Sequence, residues 1–424
     1  MDLADALRKW NPWWGNGRVE VGVERASKSE LIKSMDTRHI KDIIGVRRSG
    51  KTTLMYQIID HILGRKTEPT KIILVRFDDV TISTAGFDEI EKAIYQINTN
   101  PEYLFLDEVQ ERRGWEKWVK NLYDLNKFKQ IFVTGSSASL LSRELGTLLT
   151  GRHISFQLFP FSFKEYLKAN NWTNFSANFL KAEKLRLLHY LNLYIKNGGF
   201  PETLNKDETT AKTILSGIYN DIVSRDIMSR HPVELPKLNE LVYYLITNAA
   251  REYSYRSVSR AVGINIETAQ NYMKFAQDAF LIFSLDLFSF KLKIQFRQNK
   301  KIYCIDAGLG NAVAFKFLEE QGRIYENVVY LELKRRGKEV YYWKSVAGET
   351  DFVVKEGLKI IEAIQVCLDP SNEKTKKREI KGLVSACKEF KLKEGKVITE
   401  DFSGEENANG IKVRYIPLWL WLLE

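Results

Sequence analysis

From residue 40 to residue 63 the chain reads IKDIIGVRRSGKTTLMYQIIDHIL. Ile40, Ile43 and Ile44 make a short aliphatic strand, and Leu54, Met55, Ile58, Ile59, Ile62 and Leu63 recur at helical spacing. Between them Gly45, Gly50, Lys51 and Thr52 satisfy the spacing GxxxxGK(S/T). Strand, glycine-bearing loop and helix in that order predict one unit of a parallel α/β sheet. The residue types answer to an anion. Glycines let backbone N–H groups turn towards phosphate oxygens, the helix start adds its positive dipole end, and the Lys51 ammonium bridges β- and γ-phosphates. Thr52 offers a hydroxyl to Mg²⁺. A capped helix that holds no ligand is the plainer alternative.

A second signal is PEYLFLDEVQERRGWEKWVKNLYD. Tyr103, Leu104, Phe105 and Leu106 read as a strand buried on both faces, and Asp107 closes it. In a doubly wound sheet ligands sit at the carboxyl ends of strands, so Asp107 is placed to hold a metal's water shell. Glu108 beside it is placed to orient and deprotonate the attacking water. Further strands begin at Lys71 (KIILVRFDD), Lys129 (KQIFVTGSS) and His153 (HISFQLFPF), with helical segments such as residues 115–125 between them. Ser136, at the tip of the fourth strand, is a candidate contact for the γ-phosphate or the lytic water; elsewhere it would be an ordinary turn serine.

GVRRSGKTT, LFLDEVQ, VTGSSASLLSRELGTLLTGRHISFQLFPFSFKEYL and GGFPE together resemble the AAA+ ATPases, common in archaea and bacteria, that carry a C-terminal nuclease-like domain of the PD-(D/E)xK type. The resemblance covers nearly the whole chain. It implies a P-loop parallel-sheet ATPase core that binds ATP and Mg²⁺. Gly45, Val46, Arg47, Arg48, Ser49, Gly50, Lys51, Thr52 and Thr53 are then the Walker A loop, and Asp107 and Glu108 the Walker B pair. Ser136 is the sensor, on a strand lying between the other two. Arg143, Arg152 and Arg225 are candidates for the arginine that spreads charge from the γ-phosphoryl group in hydrolysis, each equally readable as a surface ion pair. An arginine supplied by a neighbouring chain would make the protein a homo-oligomer.

Five segments follow: an N-terminal extension (1–30), the ATPase core (31–165), a helical lid (166–235), a winged helix (236–300) and a C-terminal α/β nuclease-like domain (301–424). The lid is expected from Leu- and Tyr-rich helical periodicity that stops at Gly198, Gly199 and Pro201. In YSYRSVSRAVGINIETAQNYMKFAQDAFLIFSLDLF two helices meet at Gly263. Val258, Ala261 and Val262 are expected to face Ile266, Ala269, Tyr272 and Met273, leaving Glu267, Thr268, Gln270, Asn271 and Lys274 outward. A strand pair from Phe280 to Phe296 would form the wing, carrying Lys291, Lys293, Arg297, Lys300 and Lys301. The second helix has little charge for neutralising phosphates, so DNA and a protein are both open as its partner.

The nuclease-like domain looks chemically damaged. Glu326, Asp351 and Gln365 occupy its site positions, but Gln365, Val366 and Cys367 stand where an acid and a lysine are needed. Glu362 would need a one-residue slip to help. A net charge of +10 among 424 residues gives only a mild bias towards anionic partners. Three cysteines, odd in number and without CxxC spacing, suggest neither a disulfide framework nor a zinc knuckle, and fit a reducing cytoplasm. The first residues are acidic and lack a long apolar run, so no signal peptide is expected, and IPLWLWLLE is too short to span a membrane. Three functions compete: an Mg²⁺-dependent ATPase coupled to DNA or protein binding, a nucleotide-regulated scaffold with little hydrolysis, and an ATP-switched nuclease.

Overall fold

The computed structural model describes residues 2–15, 17–136, 149–291, 293, 295, 298–314 and 321–424. Arg143 and Arg297 lie outside the described residues. The chain divides into Met1–Phe159 with Asp278–Phe280, and Pro160–Gln277 with Leu281–Glu424.

In the first unit β1 (Ile40–Ile44), β2 (Ile72–Arg76), β3 (Tyr103–Asp107), β4 (Gln130–Gly135) and β5 (His153–Gln157) form a parallel sheet in the order β2-β3-β4-β1-β5. Successive side chains on a strand point to opposite faces, and the core is split accordingly. Ile73, Val75, Leu104, Leu106, Ile131 and Val133 pack with the helices Phe87–Ile97 and Trp115–Asp124 on one face. Ile72, Leu74, Phe105 and Phe132 pack with Leu54, Met55, Ile58, Ile59 and Ile62 of the helix Lys51–Gly64 on the other. Both faces are covered, so the strands are apolar almost throughout. β1 departs from this pattern. Lys41 and Asp42 are fully buried within it, Lys41 donating to the Thr37 carbonyl at 2.6 Å and Asp42 lying 2.9 Å from His153 Nδ1.

β2 is an edge strand, and the N-terminal segment covers it. Asn11, 1% exposed, donates to the carbonyls of Leu7 and Leu74 and accepts from the Leu74 amide. Trp13 and Trp14 both donate their indole N–H to the Ile72 carbonyl. Side chains thus satisfy an edge that would otherwise pair with another strand.

In the second unit the helices Phe163–Ala169, Ala177–Ala182, Lys184–Asn197 and Glu208–Asp221 come first, the last continuing into a π-helical turn, Ile222–Met228. Gly198 and Gly199 do more than end a helix. A Cβ on Gly198 would lie 2.0 Å from Asp306 Oδ1, and the Gly199 amide donates to Asp306 Oδ2 at 2.7 Å. The pair is therefore a place of close backbone approach as well as a stop.

Next come the helix Leu235–Thr247, β6 (Glu252–Tyr253), the helices Tyr255–Val262 and Ile266–Asp278, β7 (Ile282–Leu285) and β8 (Lys300–Cys304). The three strands are antiparallel in the order β6-β8-β7. Gly263, at φ +69°, turns the chain between the two helices. Val258, Val262, Ala269, Tyr272 and Met273 are buried, but Ala261 and Ile266 are exposed, because they flank the turn on its solvent side. The expected hairpin also differs: its second strand is Lys300–Cys304, beyond Phe296.

After the helix Gln321–Arg335, β9 (Glu339–Ser345), β10 (Gly348–Glu356) and β11 (Lys359–Val366) form an antiparallel meander. The helix Glu373–Glu389 then crosses to β12 (Glu394–Thr399), parallel to β11, and β13 (Gly404–Ala408) and β14 (Ile411–Pro417) complete six strands in the order β13-β14-β12-β11-β10-β9. Leu383, Ala386 and Cys387 of the crossing helix pack on Val353, Ala363, Val397 and Val413. The apolar C-terminus docks, with Trp421 2% exposed under the Arg336 guanidinium. Among the described residues no helix is long and apolar enough to cross a membrane.

Asn11→Ala removes two hydrogen bonds to the β2 edge, both with Leu74, and a third to the Leu7 carbonyl. It is expected to lower stability by about 1–3 kcal/mol, seen as an earlier midpoint in chemical unfolding; an unchanged midpoint would mean that Asn11 does not hold the edge.

Candidate functional site

The carboxyl ends of β1, β3 and β4 lie together, with β4 between the other two as the resemblance implied. Residues 45–50 leave β1 as a tight loop. A Cβ on Gly45 would come within 2.1 Å of the Leu158 carbonyl, so only glycine lets the loop start against the chain beyond β5. Gly50, at φ +94°, delivers the chain into the helix that begins at Lys51, and Arg48, at φ +64°, is left-handed without being glycine. A non-glycine residue in that region costs about 1–3 kcal/mol, so the surrounding loop must hold Arg48 there. Val46 is buried, Arg47 half-buried and Arg48 exposed. Lys51 is 4% exposed and its ammonium donates to the carbonyls of Gly45 at 3.1 Å and Val46 at 3.2 Å. Both partners are neutral, so its charge remains to hold an anion. Ser49 Oγ is buried with no hydrogen-bond partner among the described residues. A helix N-terminus, a glycine-shaped cradle and a buried ammonium fit a polyphosphate.

Asp107, wholly buried, is the hub of the edge. Its Oδ2 accepts from Thr52 Oγ1 at 2.9 Å and its Oδ1 from Thr134 Oγ1 at 2.6 Å. Thr134 Oγ1 in turn accepts from the Glu108 amide at 2.9 Å. Arg76 Nε lies 3.7 Å from the same carboxylate. Burial, with the neighbouring Glu108 charge, pushes the Asp107 carboxyl up to about 6, against the pull of Thr134, Thr52 and Arg76. Glu108 sits at φ +53°, and its carboxylate accepts a hydrogen bond from the Gln110 amide. Gln110 Nε2 also lies 3.3 Å from Ser136 Oγ, so Glu108, Gln110 and Ser136 form one polar cluster. Mg²⁺ in such sites keeps several waters and takes one or two protein oxygens plus phosphates, for which Thr52 and Asp107 suffice. Among the described residues no group of three or more His, Cys, Asp or Glu side chains is arranged to hold a metal ion by itself.

Arg152 is not brought to this edge. It precedes β5, pairs with Asp124 at 3.5 Å, and passes its carbonyl to the Ile40 amide at the start of β1. In a parallel sheet that is the opposite end of the strands from the loop, so within its own chain Arg152 does not reach the site, a correction to its candidacy in cis. Arg225 is exposed on the π-helical turn, and the neighbouring Asp226 pairs with Arg230 instead, at 3.3 Å. Thr134, Arg76 and Gln110 were not singled out from sequence; only VTG after a buried strand and the Q of LDEVQ hinted at two of them.

A second gathering of ionisable groups lies in the second unit. Glu326, Asp351 and Gln365 do come together: Gln365 Nε2 donates to Asp351 Oδ2 at 2.8 Å and to Glu379 Oε2 at 2.6 Å. Lys301, read from sequence as a wing cation, is instead 2% exposed at the centre of the cluster. The inward register of β8 carries it there. Its ammonium lies 2.8 Å from Glu326, 2.6 Å from Glu349 and 3.1 Å from Asp351. Burial alone would lower the Lys301 pKa, but the three carboxylates hold it well above its ordinary value. Burial and the Asp351 charge push the Glu326 carboxyl up to about 7, with Lys301 and Tyr303 opposing. Glu362 pairs with Lys396, away from the cluster.

Residues 37–167 match the AAA domain family, residues 188–320 a domain of unknown function (DUF8612) and residues 321–421 another (DUF4143). The chain is 37% identical over 425 residues to the protein MJ1544 of Methanocaldococcus jannaschii, covering 95% of this chain and 93% of that one. A Haemophilus influenzae protein is 31% identical over 404 residues, covering 92% and 96%. Among solved structures, the Aeropyrum pernix Orc1 protein in complex with DNA aligns at 10% identity and a TM-score of 0.34, over 69% of this chain and 93% of that one. A likeness that runs nearly end to end at more than a third identity places this chain, with its AAA-type P-loop ATPase domain, in one family with MJ1544.

Proposed function

We propose that the protein is an Mg²⁺-dependent ATPase in which residues 45–53 hold the triphosphate, Thr52 and Asp107 hold the metal, and Glu108 activates water. The observation that carries this reading is the Thr52–Asp107–Thr134 hydrogen-bond chain, which brings the loop helix, β3 and β4 to one point. Bound MgATP supplies the phosphoanhydride that is cleaved. Lys51 neutralises phosphate charge, and the loop amides orient the phosphates. Glu108 takes a proton from water, its backbone amide anchored by Thr134. Ser136, through Gln110, orients the Glu108 carboxylate.

The output is a change in what the second unit binds. Helix, short strand, two helices and two strands, in the order seen from Leu235 to Cys304, support a winged helix there. Of the two partner classes, protein is favoured over DNA, because Lys301 is buried and Lys300 is paired with Asp286 at 2.8 Å. Fewer cations then remain to neutralise phosphates. The helix, three antiparallel strands, helix and parallel strand from Gln321 to Thr399 support a nuclease-like core. Glu326 and Asp351 are buried and already paired with the Lys301 ammonium, which favours a structural role over phosphodiester cleavage.

Lys51→Ala is expected to abolish ATP binding, while Glu108→Gln should bind ATP yet turn over about a hundredfold or more slowly; equal turnover by the Glu108 variant would remove its water-activating role. Lys301→Met leaves three acids without their cation and is expected to cost about 3–5 kcal/mol at neutral pH. Protonation relieves that repulsion, so the penalty should shrink as pH falls through the raised Glu326 value. A penalty that is independent of pH, or Mg²⁺-dependent cutting of plasmid DNA by the unaltered protein, would contradict the closed-pocket view.

A further inference from the structure

The N-terminal segment brings a buried arginine to the base of the phosphate loop. Arg25 is 5% exposed, although it carries a full charge and precedes the helix Ser27–Ser34 at the surface. Its Nη1 donates to the Ser49 carbonyl at 2.6 Å and its Nη2 to the Phe159 carbonyl at 2.6 Å. One guanidinium therefore ties the loop to the chain that leaves β5.

Residues 21–25 are held in place by Gln57, 2% exposed on the helix that follows the loop. Its Nε2 donates to the carbonyls of Val21 and Val23, each at 2.7 Å, and its Oε1 accepts from the Arg25 amide at 3.1 Å. The strap runs close to the first helical turn: a Cβ on Gly22 would lie 3.2 Å from Thr53 Cγ2, and one on Gly50 would lie 3.3 Å from Arg25 Nη1.

A trans peptide is planar, and its C=O and N–H point in opposite directions. Fixing the Ser49 carbonyl on Arg25 therefore fixes the direction of the Gly50 N–H, which is turned to the other side of the peptide. Gly50, at φ +94°, has the freedom to rotate away when nothing pins that peptide. We propose that Arg25 is a positioning residue for nucleotide binding: it pins the Ser49–Gly50 peptide so that the Gly50 amide faces the phosphates. This rests on the loop being the ATP site. A planar fork presents separate donors to the two carbonyls in fixed directions, whereas an ammonium carries its charge and donors at a single point.

The test uses the full-length chain with Arg25→Gln and Arg25→Lys, ATP and ADP affinity by calorimetry, steady-state ATPase kinetics and melting without nucleotide. Arg25→Gln is expected to weaken ATP and ADP binding and raise KM about tenfold, with kcat at saturation within about twofold; Arg25→Lys should fall between. Should Arg25→Gln fail to fold, Arg25→Lys, which keeps the charge but offers a single donor nitrogen, still decides by its affinity. Variants that melt earlier yet bind ATP like the unaltered protein would reduce Arg25 to a structural brace and overturn the proposal, as would a fall in kcat at constant KM. Either result leaves the ATP reading standing. Absence of ATP binding by the unaltered protein would remove that reading and, with it, this one.

Discussion

A carboxylate with no exposure to water is an expensive object, and the first unit is organised around one. Asp107 is stable as an anion only because two threonine hydroxyls donate to it and Arg76 stands beside it. Thr52 comes from the helix after the loop, Thr134 from β4, and Asp107 itself ends β3. Those three hydrogen-bonding groups require the register between the strands that is observed, and that register sets the loop, Glu108 and Ser136 along a single edge. Relaxing any one of them leaves a buried charge short of partners, which couples the fold of the sheet to the geometry of the site.

Much of this edge was legible in sequence because its signals are local. Gly45 and Gly50 are needed within one loop, Lys51 and Thr52 follow at once, and the LFLD run announces a doubly buried strand by its own composition. What was not legible is what depends on distant partners. Thr134 is an unremarked hydroxyl until β4 is placed beside β3. Arg25 meets Phe159 across 134 positions of chain, and no periodicity connects them. Lys41 and Asp42 lie inside a strand that reads as aliphatic, their burial set by Thr37 and His153 rather than by their neighbours in sequence. The placing of Arg152 failed for the same reason: its nearness to the sensor strand in sequence says nothing about which end of a parallel sheet it occupies.

The second unit shows how charge in a sequence misleads when the strand register is unknown. Lys300 and Lys301 are adjacent, yet one faces Asp286 near the surface and the other enters a pocket of acids. The pocket keeps the Glu326, Asp351 and Gln365 arrangement expected from sequence, but Lys301 supplies from within the positive charge that an acidic cluster needs. A cation built into the chain cannot be exchanged, so the cluster acts as a joint between the three-stranded sheet and the C-terminal sheet. β8 and β10, which the cluster connects, belong to the single unit that Pro160–Gln277 and Leu281–Glu424 form.

The claim on which everything else hangs is that the edge around residues 45–53 receives a nucleoside triphosphate with its metal. Titration of ATP into the purified full-length protein, with and without Mg²⁺, tests it most directly. Heat that saturates at one nucleotide per chain and binding that tightens when Mg²⁺ is present are the predicted result. A well-folded protein that evolves no heat with ATP under either condition would contradict the account.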